Sequence, residues 1–455
     1  MTSAPVFRQG DNMQRFLLGA FMAAFTTQLA WSASSITVYS DGFGLISEER
    51  ELQLKKGRQE WLFDGVSRQI EPASVLFSCE GVTLREQNYE YDLVDEATLL
   101  QRYLGHEVEV QIKEGEWLRG TLLSGGMGLI LQGAQGVTSL KADALVAVRY
   151  PSLPEGLRLK PALRWELDSR VEGKRSATVS YLSGGLGWKA EYVCLLAEDE
   201  SRMEMASWVN LSNQTGLGWT DANLQLVAGK VNRVQTRQND YMVKAPRMAM
   251  AADAMEAGFQ EEAFFEYHLY TLPRPVSLAD RQDKQVALFD AKPVALVKRY
   301  VSDSQRGQDV AVELEFTNSK EKGPGLALPE GTVRLYKKDS RGRRQLVGED
   351  ALRHTPMDEK VVLNAGKAFD LVSEHKVLDE QRSGRSVERD YEVVLRNRKE
   401  KETVEITVRE HFWGDWSVVK SDVKAVKKDA GTLEMVVPLK AGESRTVRFR
   451  VRQDN

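Results

Sequence analysis

Apolar and polar residues alternate with a period of two through much of this chain. Thr403-Val404-Glu405-Ile406-Thr407-Val408, Thr446-Val447-Arg448-Phe449-Arg450-Val451 and Ala177-Thr178-Val179-Ser180-Tyr181 are clear instances. Side chains of a strand point to opposite faces in turn, so this period buries one face of a sheet, whereas a helix needs a period of 3.6. Turn residues punctuate the runs at short intervals, as at Ser40-Asp41-Gly42, Lys56-Gly57 and Asp339-Ser340-Arg341-Gly342. The last is a hairpin turn with glycine where a positive φ is needed. Strands follow one another with almost no helical text between them. The expected fold class is mainly β, built from several antiparallel modules with few helices.

The chain has 455 residues, more than one hydrophobic core usually serves, so several domains are expected. Residues 34–96 read as an N-terminal β module of short strands. Residues 97–154 open with a short helical stretch, Thr98 to Leu104, that stops at Gly105. Strands follow at Glu107 to Ile112, Trp117 to Leu123, Gly128 to Leu131 and Ala144 to Val148. That segment resembles the small five-stranded barrels of the SH3-like and Sm-like kind. Pro151, Pro154 and Pro161 mark the next boundary. Residues 155–290 read as a central β domain, with a flexible Ala- and Met-rich segment near 235–260. Residues 291–455 read as a C-terminal β domain ending in a β-sandwich.

Residues 1–33 carry a different signal. Arg15 precedes the apolar run Leu17 to Phe25, and Ala30-Trp31-Ser32 supplies small residues of the kind a signal peptidase cleaves beside. This order is that of a secretory signal peptide, with Met13 as an alternative start. The expected location is therefore periplasmic or secreted. The run is too short for a membrane span, and the mature chain holds no apolar stretch of 18 residues, so no transmembrane segment is expected there. The formal charge of −4 gives no global bias toward nucleic acid. Cys79 and Cys194 are the only cysteines, each in an apolar run. They read as two separate buried thiols, with a pair as the alternative.

Several long phrases occur in an order similar to that of a bacterial family, domain of unknown function 4139. They are Phe265 to Val276, Lys284 to Leu288, Leu328 to Tyr336, Gly348-Glu349-Asp350 with His354-Thr355-Pro356, and Tyr181 to Trp188. The resemblance covers most of the chain from about Trp165. It implies β-rich, often exported proteins and supplies no activity, cofactor or catalytic residue.

No linear motif of catalysis stands in the chain. There is no Gly-x-Ser-x-Gly elbow, and the glycine runs 124–128 and 183–187 lack the Lys-Ser/Thr of a phosphate loop. Two acid–histidine groupings are the candidate sites. Alternation would put Glu266 and His268 on one strand face, where a buried pair could act as acid and base; a hydrogen-bonded structural histidine is the competing reading. Glu349, Asp350 and His354 could hold a divalent cation, or could simply form a loop. The Sm-type nucleotide pocket is missing, since its loop here is Ser124-Gly125-Gly126-Met127-Gly128 and Arg149 is followed by Tyr150.

Lys337, Lys338, Arg341, Arg343 and Arg344 cluster on one hairpin, either as a solvated face or as a contact for an anionic envelope polymer. The tryptophans, among them Trp165, Trp188, Trp208, Trp219, Trp413 and Trp416, would either anchor cores or stack on sugars. Met242, Met248, Met250 and Met255 would be a linker or, alternatively, thioether ligands. The functional expectation is a non-enzymatic scaffold or interaction protein of the cell envelope, needing no cofactor and meeting an envelope protein or polymer. A hydrolase or metal-dependent enzyme using His268 or His354, and a glycan binder using exposed Trp, are the alternatives.

Overall fold

The computed structural model describes residues 34–233 and 259–454, apart from residues 114, 127 and 155. The expected signal segment, residues 1–33, and nearly all of the Ala- and Met-rich stretch lie outside the described residues. Strands make up 66% of the structure and helix 4%, far beyond the strand content of an ordinary globular domain. The mainly-β expectation is therefore met. Among the described residues one α-helix occurs, Glu96–Arg102. Its N-cap Asp95 accepts a hydrogen bond from the Thr98 N–H at 2.8 Å, satisfying one of the helix's unpaired donors.

Three sheets share the largest core. The first contains, in order, Gln260–Phe264, Tyr267–Thr271, Trp219–Ala228, Ser35–Tyr39, Phe43–Leu54, Gly173–Gly184 and Leu76–Ser78, with Val276–Leu278 also on Trp219–Ala228. The second runs Gln282–Ala295, Arg202–Asn213, Leu186–Leu196, Gly331–Lys338 and Arg344–Leu352. The third is Gly57–Asp64, Ala162–Ser169 and Val82–Glu90. Residues 34–96 and 155–290 thus contribute strands to the same sheets and side chains to the same core. Ser35–Tyr39 pairs in parallel with Trp219–Ala228, from Ser35 opposite Asn223 to Tyr39 opposite Val227.

Alternation does what the sequence implies. Along Leu186–Leu196, every second residue from Leu186 through Trp188, Ala190, Tyr192 and Cys194 to Leu196 is buried. Trp165 is fully buried among them; its ring stacks on Phe63 with centroids 5.2 Å apart, and its indole N–H donates to Gln87 Oε1 at 2.9 Å. The polar end of this large apolar side chain is thereby satisfied. Both cysteines are free; Cys194 is buried, and that burial pushes its thiol up to about 12.

Residues 107–149 form a separate five-stranded antiparallel sheet, in the order Leu145–Arg149, Glu107–Ile112, Trp117–Gly125, Gly128–Gly133 and Gly136–Lys141. It has its own small core of Tyr103, Val108, Val110, Leu122, Leu129 and Leu131. The C-terminal half holds a nine-stranded sheet: Asp415–Ser421, Ser444–Asp454, Ser386–Asn397, Lys360–Ser383, Asp309–Thr317, Val297–Asp303, Val404–His411, Thr432–Leu439 and Ala425–Lys427. Val404, Ile406 and Val408 near one end share a core with Val447, Phe449 and Val451 near the other. A single continuous sheet reaches that arrangement only by curling over itself.

Glycine is required where the parallel pair Leu186–Leu196 and Gly331–Lys338 begins. Ala190 stands opposite Gly331, and a Cβ at Gly331 would lie 2.1 Å from the Ala190 carbonyl oxygen. Backbone cannot yield as a flexible side chain can, so overpacking of about 1 to 3 kcal/mol is expected there. Gly331→Ala should lower the thermal midpoint measurably, while Gly126→Ala, with nothing within 4 Å of its Cβ position, should leave it near the starting value. Equal midpoints for the two variants in a thermal melt would refute this account of the seam.

Candidate functional site

The two histidines singled out from the sequence lie in separate surroundings. A tight turn with Phe265 at φ 56° separates Gln260–Phe264 from Tyr267–Thr271. Glu266 falls in that turn, and the partner of His268 Nδ1 is instead Glu261 Oε1 on the neighbouring strand, at 2.8 Å. The turn interrupts the alternation that would have paired Glu266 with His268. His354 Nδ1 accepts the Glu330 N–H at 3.1 Å, with Nε2 3.7 Å from the Glu330 carboxylate. Glu349 pairs with Arg334 at 2.7 Å, while Asp350 accepts the Asn364 N–H at 2.6 Å. Each acid of that second grouping is thus turned to its own partner. Among the described residues, no three or more His, Cys, Asp or Glu side chains gather as a metal site.

The phrases around these residues build a junction instead. Leu328 and Thr355 exchange backbone hydrogen bonds at 2.8 and 2.9 Å. The buried Tyr192 hydroxyl donates to the Pro329 carbonyl at 2.6 Å, and that of Tyr270 donates to Ala327 at 3.0 Å. Of the six tryptophans named above, Trp165, Trp188, Trp219 and Trp416 are buried and Trp208 partly so, while Trp413 is 81% exposed. They form no open row for a sugar.

One hydrogen-bonded array has the connectivity of a catalytic triad and was not legible in the sequence. Ser302 Oγ lies 2.8 Å from His375 Nε2, and His375 Nδ1 lies 2.7 Å from Glu410 Oε1. The nitrogen facing the carboxylate carries the proton in the neutral ring, which leaves Nε2 to accept from the hydroxyl. Geometry of this kind can activate a serine. A nucleophile must also be reached, and Ser302 is fully buried on a strand paired on both sides, by Asp309–Thr317 and Val404–His411.

On the opposite face of the same strands lies a second, ionic group. Arg409 lies 3.0 Å from Glu434, 3.3 Å from Glu313 and 3.8 Å from Asp303, and His411 lies 3.1 Å from Asp303. The array reads as a buried polar network whose members satisfy one another. His375→Ala would strand the Glu410 carboxylate and the Ser302 hydroxyl, at a cost of about 1 to 3 kcal/mol. Chemical denaturation should register that loss, and a fluorophosphonate probe should leave Ser302 unmodified in the folded protein; labelling there would overturn the structural reading.

An open site lies at the seam between the two large cores. A cleft of about 280 Å³ is lined by Lys298 and Tyr300 from Val297–Asp303, Lys337 from Gly331–Lys338, and Lys367, Phe369 and Asp370 from Lys360–Ser383. Lys399, after Ser386–Asn397, and Glu200, in the turn between Leu186–Leu196 and Arg202–Asn213, complete its polar lining. Lys298 and Lys399 sit over the Tyr300 ring at 4.7 and 5.0 Å, and Lys399 donates to the Tyr300 hydroxyl at 2.8 Å. Phe369 is 97% exposed at the mouth. The Glu200 carboxylate accepts hydrogen bonds from both Lys298 and Lys337. Its backbone is left-handed, φ 57°, a conformation that costs a non-glycine residue about 1 kcal/mol.

Burial opposes ionisation of Glu200, but the hydrogen bonds from Lys298 and Lys337 outweigh it and hold the carboxyl below its ordinary 4.5. Burial likewise opposes the charge on Lys298, and its hydrogen bonds to Glu200 and Tyr300 overcome that and raise it. A carboxyl depressed in the folded state contributes stability that is complete above its unfolded value and is lost as pH falls through the folded one. The stability difference between the natural chain and Glu200→Gln should therefore shrink as pH falls below 4.5. Denaturant unfolding across that range reads it, and a difference that grows toward acid would contradict the assignment.

Residues 177–454 match the family model described as domain of unknown function (DUF4139), a match over more than half of the chain. No curated protein matches the sequence.

Proposed function

The chain belongs to the domain of unknown function 4139 family, and from that premise we propose that it is a non-enzymatic interaction protein of the bacterial cell envelope that binds an anionic polymer. The observation that carries this reading is the convergence of Lys298, Lys337, Lys367 and Lys399 on one open cleft beside an exposed Phe369. Four lysines and two carboxylates, Glu200 and Asp370, line it, while Asp309 pairs with Lys367 and Glu402 with Lys399, each at 2.5 Å. Lysine is thus concentrated there on a chain whose total charge is −4. Lys337 belongs both to the cleft and to the basic hairpin, where Lys338 and Arg344 are exposed on the other strand face.

Export rests on the N-terminal signal pattern, in which Arg15 precedes the apolar run and small residues follow it. Among the described residues, no helix is long and apolar enough to cross a membrane. An exported protein with a cationic surface meets acidic polymers of the envelope, and electrostatic complementarity would supply both encounter rate and selectivity.

The reading is tested with the full chain on immobilised polyphosphate and polygalacturonate, with neutral dextran as the control. Retention on the acidic matrices should fall as salt rises, because exposed charges are screened over about 8 Å at physiological ionic strength. Combining Lys367→Gln with Arg344→Gln should weaken binding about tenfold, equivalent to about 1.4 kcal/mol. Lys367 has a 70% exposed side chain, so its loss spares the fold. Retention that neither salt nor the substitutions change would defeat the reading.

A further inference from the structure

Glu200 is an odd residue for its position. The turn it occupies forces a left-handed backbone, where glycine is the usual occupant. The turn is otherwise self-sufficient: the Glu200 N–H donates to the Ala197 carbonyl at 3.2 Å, and Asp199 accepts from the Ser201 hydroxyl at 2.7 Å. The fold therefore does not need a carboxylate here to close the turn. What the carboxylate does is bridge Lys298 and Lys337, which come from different sheets. Its side chain remains 28% exposed on the rim of the cleft, so rotation about its own bonds carries it out to solvent without moving a strand.

We propose that Glu200 stands in for the anionic group of the ligand: the two lysines form a seat for a compact oxyanion, and a bound phosphate or carboxylate displaces Glu200 from it. This inference rests on the anionic-polymer reading above and specifies where one charged group of that polymer sits. Lys298 has a second support in the Tyr300 ring at 4.7 Å, and the strand that carries Lys337 is fixed by its pairing with Leu186–Leu196. A seat whose two lysines already converge on one point needs little reorganisation to accept a replacement oxyanion. The internal carboxylate then sets the affinity, because every ligand must compete with it.

Calorimetric titration of the full chain with inorganic phosphate and, separately, with polyphosphate tests this. Glu200→Gln should bind both about tenfold more tightly than the natural chain. Glu200→Gly, which suits the left-handed backbone, should show the same gain and guards against a misfolded glutamine variant. Lys298→Gln combined with Lys337→Gln should abolish the gain. A gain for inorganic phosphate alone assigns the seat to a free ion, whereas a gain in both assigns it to the polymer. If neither Glu200 variant binds more tightly while the double lysine variant binds polyphosphate more weakly, the displacement idea is overturned and the cleft reading survives. If lysine removal leaves polyphosphate binding untouched, the cleft reading falls with it.

Discussion

Two strands run through both large cores, and the rest of the structure is arranged around them. Asp309–Thr317 gives Val310 to the C-terminal core and Leu314 and Phe316 to the larger one, all from the same strand face. Lys360–Ser383 pairs with it and does likewise, with Val361 and Leu363 in the larger core and Leu371 in the other. A one-residue slip of either strand would move its apolar set to the opposite face in both cores at once. Their register is therefore doubly specified. The cleft opens where these strands leave one core for the other, with Val312 and Leu314 in its floor and Lys367, Phe369 and Asp370 on its wall.

The side of each strand that faces inward was legible, because a period of two needs only local reading. Leu186–Leu196 and Ala162–Ser169 bury the alternate residues that their sequences mark as apolar. Pairing between distant strands was not legible. Ser35–Tyr39 finds its parallel neighbour in Trp219–Ala228, and nothing within either segment names the other. Gly136–Lys141 escaped for another reason: five of its six residues are exposed, with only Leu140 partly buried, so it carries almost no alternation. It is held by its ladder with Gly128–Gly133 rather than by an apolar face.

The sites were less legible than the fold for the same physical reason. His268 and His354 drew notice because acids stand near them in sequence, yet the tight turn at Phe265 and the strand register give each a different set of neighbours. Ser302, His375 and Glu410 meet across separations of 73 and 35 residues. In the cleft, Lys337 belonged to a visible basic run, whereas Lys298, Lys367 and Lys399 each arrive from a different segment. The family phrases ending in Leu328 to Tyr336 and His354 to Pro356 mark the junction that sets these segments side by side.

The choice of cation separates the closed polar site from the open one. In the buried network Arg409 answers Glu313 and Glu434 at once, with Asp303 close by. A planar fork with five fixed donors suits carboxylates that never leave. In the cleft the cations are all lysines, compact charges on flexible stems with rotatable donors. Two of them rest on the face of Tyr300, and Lys399 also donates to its hydroxyl. Cations supported from below by an aromatic ring can exchange one oxyanion for another above it. Arginine thus stands where several carboxylates are satisfied at once, and lysine over tyrosine where the proposed anionic partner would come and go.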